Sequence, residues 1–140
     1  MRTTSRSEAE ATAEKEAARN PLAAGQHRAT IIAAMEGVSN RNNEKIDLML
    51  AVIDAQGREY RLRDWLTDTP AGRLKLRHAA AAVGAVRDFE AGNISAQQFV
   101  GRAVLITTEI ERKRGYAPRA LITDYATVPD AVVTPLRQAG

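Results

Sequence analysis

Glu44-Lys45-Ile46-Asp47-Leu48-Met49-Leu50-Ala51-Val52-Ile53-Asp54 is the centre of a stretch, 38–63, around which the chain is organised. Ile46, Leu48, Leu50 and Val52 lie two apart, so in an extended strand they share one face. Lys45, Asp47, Met49, Ala51 and Ile53 take the other, mixed face. Ala55-Gln56-Gly57 supplies a tight turn in which Gly57 is free to adopt positive φ. The chain returns as Arg58-Glu59-Tyr60-Arg61-Leu62-Arg63, with Tyr60 and Leu62 pointing one way and Arg61 and Arg63 the other. This is a hairpin with one apolar face and one face rich in cations. Such a sheet can bury one side and offer the other to a polyanion.

Working outward, residues 25–38 read as a first strand. His27, Ala29, Ile31 and Ala33 alternate there with Arg28, Thr30, Ile32 and Ala34, and Gly37 marks a bulge or bend. Ser39-Asn40-Arg41-Asn42-Asn43 is a turn by composition, because Asn tolerates left-handed backbone and bonds its own main chain. Beyond the hairpin, 64–72 is a connection in which Trp65 and Leu66 tuck into the edge of the core. Residues 73–89 read as one helix. Leu74, Ala81 and Gly84 or Ala85 make one side, and Leu76, Ala79, Ala80 and Val83 an adjoining stripe. Asp68 or Thr69 serves its N-terminus. Ser95 with Gln98 is a capping box that starts a short helical turn, ended by Gly101. Residues 102–112 alternate as a fourth strand, 113–119 form a loop with three cations and one aromatic, and 120–125 are the last strand.

Strand, strand, strand, helix, strand, strand is the order of a five-stranded OB-fold, a β-barrel with a helix between its third and fourth strands. Closure would also remove the sheet's free edges. An open α+β sheet with the helix on one face is the second reading. The domain spans 21–126. Residues 1–20 form a polar, alanine-rich tail. Ser7 with Glu10 can cap a helix over 8–19 there, but little apolar surface exists to hold it before Pro21 ends it. Residues 127–140 form a second tail.

Composition narrows the function classes. The 140 residues contain no cysteine, which excludes disulfides, thiolate metal sites and cysteine catalysis. No apolar run approaches the roughly 20 residues that cross a bilayer, and the N-terminus lacks a signal peptide's apolar stretch. No membrane association and a cytoplasmic location are expected. The net charge is +3. In 1–24, Arg2, Arg6, Lys15 and Arg19 cancel Glu8, Glu10, Glu14 and Glu16, and in 127–140 Asp130 cancels Arg137. The excess therefore lies in the domain and points to an anionic partner.

Four segments carry a family resemblance: PLAAGQHRATI, VSNRNNEKIDLMLAVIDAQGREY, RLKLRHAAAAVGAV and AGNISAQQFVGRAVLITTEIERKRGYAPRALITDYA. Together they resemble small phage-encoded proteins of replication and recombination gene clusters, the DUF669 type, over most of 21–126. Its markers are the Asn-rich turn before an Ile-x-Leu-x-Leu-x-Val strand, the Ala-Val-Gly near the helix end, and the Phe-Val-Gly-Arg step into the fourth strand. The resemblance implies an OB-fold related to phage single-stranded DNA-binding proteins, working in the cytoplasm of a bacterial host. Well-known single-strand binders end in an acidic tail, whereas this tail has only Asp130.

Single-strand binding needs a cationic groove for phosphates and a few flat side chains for bases. The candidate cations are Arg41, Lys45, Arg61, Arg63, Arg112, Lys113, Arg114 and Arg119, with Arg28 and Arg58 beside them. The candidate platforms are Tyr60, Trp65, Tyr116 and Tyr125. Tyr60 alternates with Leu62 and reads as core, Trp65 as an edge-of-core plug, and Tyr125 goes either way. Tyr116, in a basic loop, is the best single stacking candidate. The segments 41–45 and 112–119 are expected to flank one groove. Arg73, Lys75 and Arg77 read as a solvated helix face.

Catalysis is not expected. His27 and His78 lack metal-ligand spacing, and no phosphate loop or nucleophile elbow occurs. Asp47, Asp54, Glu59 and Asp64 interleave with cations, which reads as cross-strand ion pairing. No cofactor or metal is expected. The expected function is low-specificity single-stranded DNA binding in replication or recombination. The alternative is a module that docks a recombinase, nuclease or replication protein without touching DNA, using Val128, Val132, Val133 and Leu136 as a docking segment. A homo-oligomer stays open.

Overall fold

A computed structural model describes residues 21–39 and 41–129. The proposed helix over 8–19, Asn40, and most of the apolar tail, including Val132, Val133 and Leu136, lie outside the described residues. Five strands form one antiparallel sheet: β1 Gly25–Val38, β2 Glu44–Ile53, β3 Glu59–Thr67, β4 Ala103–Glu111 and β5 Arg119–Ala126. Two helices, α1 Arg73–Ala82 and α2 Val86–Glu90, and a 3-10 turn over Ala96–Gln98 lie between β3 and β4.

The β2–β3 hairpin forms as its pattern dictates. Ile46, Leu48, Leu50 and Val52 are buried. Gly57 has φ of 82°, and its N–H donates to Asp54 O at 2.9 Å. Asp54 Oδ1 accepts from the N–H groups of Gln56 and Arg58, each at 2.9 Å, and Oδ2 accepts from Arg58 Nε at 3.0 Å. Partial burial pushes the Asp54 carboxyl up, but these bonds outweigh it and hold the group below its ordinary range. The hairpin runs longer than expected, because β3 continues through Thr67. That extra length puts Leu66 in the core and Trp65 on the opposite face.

β1 belongs to two ladders. Residues Gly25 to Thr30 pair with β4, and Thr30 to Val38 pair with β2. A register shift lies between Ile31 and Ala33, with Ile32 as the extra residue. The bulge bends the strand between its partners. It sits at Ile32 rather than Gly37, which pairs in register with Lys45. Beyond it, Ala34 rather than Ala33 packs against the core.

The single helix expected over 73–89 is broken at Gly84. The Ala85 N–H bonds Ala80 O at 2.8 Å and the Gly84 N–H bonds Ala81 O at 3.1 Å, with Gly84 at φ 76°. This pair of bonds ends a helix around a left-handed residue that glycine adopts without strain. Leu76, Ala79, Ala80 and Val83 are buried as expected, whereas Leu74 is solvent-facing. The expected capping box of Ser95 and Gln98 forms, with the Ser95 N–H donating to Gln98 Oε1 at 2.8 Å.

The sheet order is β3-β2-β1-β4-β5, so β3 and β5 are its edges and no backbone ladder joins them. The expected closed barrel is therefore corrected to an open sheet. Lys75 supplies the physical reason. Its Nζ lies between the edges, donating to Asp64 Oδ1 on β3 at 3.0 Å and to Ile122 O on β5 at 3.3 Å. Strands in a ladder stand about 4.8 Å apart, which leaves no room for an intervening ammonium. Tyr125 Oη completes the bridge by donating to Asp64 Oδ2 at 2.7 Å. Side chains hold the edges together where a ladder would otherwise run.

Tyr125 is 3% exposed. Its burial, and then the charge and hydrogen bond of Asp64, push its phenol well above the ordinary tyrosine range. The stability linked to this neutral phenol is fully present below the ordinary pKa of about 10. It is lost as pH rises further, because the unfolded chain ionises there and the folded one does not. The urea midpoint is expected to fall from about pH 10 upward, and less steeply in Tyr125→Phe. Parallel curves for the two proteins would contradict this account.

Candidate nucleic-acid interface

The outward side chains of β1, β2 and β3 stand in rows fixed by the ladder register. Met35, Asp47 and Trp65 form one row, and Ala33, Met49 and Arg63 the next. Trp65 is 55% exposed and Met35 70%. Trp65 and Met35 together leave a strip of apolar surface in water on this face. Alternation alone places Trp65 there: Leu66 fills the core, so its neighbour must point out.

Around the β3 edge this face turns into a cleft of about 650 Å³ between the two sheet edges. Arg61, Arg63, Trp65, Lys75 and Arg119 line it, and Asp64, already held by Lys75 and Tyr125, is its one acid. Cations along sheet edges also discourage edge-to-edge association. The cleft gathers Tyr60, Arg61, Arg63, Trp65 and Arg119 from the predicted set. Arg61 is partly engaged by Glu59 at 2.8 Å, and Arg119 by Glu111 at 2.7 Å. Among the described residues, Arg63 has no ion-pair partner within 4.0 Å.

The remaining candidates lie elsewhere. Arg41 is exposed in the β1–β2 loop, and Lys45 stands on β2 beside Asp47 at 3.3 Å. Arg112, Lys113, Arg114 and Tyr116 occupy the exposed β4–β5 loop, with Tyr116 75% exposed. The 41–45 and 112–119 segments lie at opposite ends of β1, since Val38 pairs with Glu44 at one end and Gly25 with Thr108 at the other. The sheet thus sets them along its length. Tyr60 is half-buried against the core, and the Arg58 guanidinium lies 6.0 Å from its ring centroid. Tyr125 is committed to the Asp64 bridge.

Three readings are corrected. Trp65 is an open platform because the third strand is longer than its pattern suggested. Lys75 is half-buried between the sheet edges, because α1 lies against β5 and β3. The acids pair along a strand or around a turn, as in Lys45–Asp47, Glu59–Arg61 and Asp54–Arg58. Alternation along β2 already turned Met49 outward, whereas the outward parity of Met35 follows only from the bulge at Ile32.

Among the described residues no three His, Cys, Asp or Glu side chains converge to hold a metal ion, and no helix is long and apolar enough to cross a membrane. His78 Nδ1 lies 2.7 Å from Asp124 Oδ1, joining α1 to β5, and His27 Nε2 donates to Ala23 O at 2.7 Å. No family model and no curated protein matches the sequence.

Proposed function

We propose that the chain binds single-stranded nucleic acid, with little dependence on sequence, across the outward face of β1–β3 and the adjoining cleft. The observation that carries this reading is the exposed Trp65 beside the exposed Arg63, at the mouth of a cleft lined by Arg61, Lys75 and Arg119. Stacking on an aromatic with phosphates held by flanking cations is how such strands are bound without base readout. The strand order and the helices between β3 and β4 fit an OB-type sheet whose last seam is made by side chains. In that fold the face of the second and third strands is a binding surface. This reading agrees with the resemblance to phage-encoded single-strand binders, whose bacterial-host setting is proposed with it. The chain acts as a binding protein, with single-stranded DNA as partner.

The test is fluorescence anisotropy with labelled oligo-dT of about 30 nucleotides, long enough for several sites of roughly 4–16 nucleotides. Binding should weaken with a log–log salt slope near −0.7 per phosphate contacted. Trp65→Ala should weaken it by about 5- to 150-fold, the loss of one stacked base. Arg63→Ala should flatten the salt slope by roughly one contact. Absence of binding at low salt would overturn the proposal and favour docking of a replication or recombination protein on the same exposed face.

A further inference from the structure

We infer that the row Met35–Asp47–Trp65 forms a single-base slot that selects guanine, within the otherwise unselective track proposed above. The three residues are direct ladder neighbours on β1, β2 and β3. They line one cavity of about 460 Å³, with Met49 and Arg63 at its side. Met35 and Trp65 are two strand spacings apart, about 10 Å between their Cα positions. A flat ring in carbon–carbon contact on both sides needs two gaps of about 3.5 Å. The pair therefore stands at the separation that admits one base edge-on, with Trp65 on one side and the adaptable thioether of Met35 on the other.

Asp47 lies between them on the middle strand, so the inserted edge of the base meets its carboxylate. Lys45 Nζ stands 3.3 Å from Oδ1. Each carboxylate oxygen keeps further acceptor capacity. The other oxygen, Oδ2, lies on the Gly37 side, 3.9 Å from where a Cβ on that glycine would stand. A carboxylate only accepts. Guanine presents two adjacent donors on its pairing edge, its ring N1–H and its exocyclic amino group, and so engages both oxygens. Adenine and cytosine offer one amino group beside a ring acceptor. Thymine and uracil offer one N–H between two carbonyl oxygens, which the carboxylate repels. The slot ranks guanine first and thymine last.

This inference rests on the proposed single-strand binding, and one experiment separates the two. Anisotropy is measured with a dT 15-mer and with the same strand carrying one central dG or dA. A paired, two-bond contact discriminates by about 5- to 150-fold, so the dG strand should bind that much tighter than plain dT, with dA between them. Asp47→Asn exchanges one acceptor for a donor. It should bring the dG-to-dT ratio close to one, by weakening the dG strand and by relieving the repulsion of thymine, so that plain dT binds at least as well as before. A purely structural role for Asp47 would lower all affinities together and overturn the slot. Equal affinities in the unaltered protein, or a dG preference that survives Asp47→Asn, would also overturn it while leaving general strand binding standing. Failure of every strand to bind would remove both.

Discussion

Asp64→Ala is expected to lower the unfolding free energy by about 3 kcal/mol, at the low end of the range for breaking a buried ion pair because Lys75 retains some access to water. Asp64 is buried and is held from two sides, by Lys75 Nζ at 3.0 Å and Tyr125 Oη at 2.7 Å. Removing it strands a half-buried ammonium and leaves a buried hydroxyl without its acceptor. The expense lies in the orphaned partners more than in the lost attraction. Tyr125→Phe leaves the ion pair intact and should cost only about 1 kcal/mol. Replacing Asp64 by Leu and Lys75 by Met together removes both charges at once. That double variant should be less destabilised than Asp64→Ala alone, because coupled partners are not additive. Urea unfolding of the four proteins checks the series. A double variant worse than the single one would show that the bridge is not a coupled unit. Amide exchange adds a second readout. Loss of the bridge should speed exchange in β3 and β5, the two edges it joins, before it does so in β1 and β2.

Phe99→Ala should cost about 3–5 kcal/mol, the usual range for emptying a fully packed aromatic site. Phe99 heads the largest side chains with full burial, at 0% exposure. It follows the 3-10 turn, where the chain leaves the helical layer for β4. Its surroundings are pinned: Gly101 N–H bonds Ile31 O at 2.7 Å, and Ile31 N–H bonds Arg102 O at 2.9 Å. A turn tied to the middle of β1 on both sides cannot collapse easily into the void. The loss should therefore fall near the upper part of the range, where relaxation is poor. Phe99→Leu keeps most of the volume and should lose less than half as much. A cost below about 1 kcal/mol for the alanine variant would mean that the site refills, against the packing described.

β2 and its turn were legible because period-two alternation, a turn and an obliging Gly57 all agree. β1, β4 and β5 were legible for the same reason, to within a residue or two. The break at Gly84 was missed because the alanines around it carry helix propensity but almost no directional pattern. Trp65 and Lys75 were misplaced for a deeper reason. Each residue's own neighbours permit two positions, and only a contact across the fold chooses between them. Leu66 reaching the core turns Trp65 outward. Likewise, α1 lying on β5 and β3 carries Lys75 into the gap between the edges.

The sequence by itself determined a mainly β chain with one apolar sheet face, a mixed opposite face and a helical insertion before the fourth strand. These are local properties, set by alternation and turn chemistry along a few neighbouring residues. Only the tertiary structure decided that the sheet stays open, that Asp64, Lys75 and Tyr125 bridge its edges, and that Met35, Asp47 and Trp65 stand in one row. Those arrangements depend on register between strands and on a bulge at Ile32. A shift of one residue in register would turn the strand residues among them to the other face.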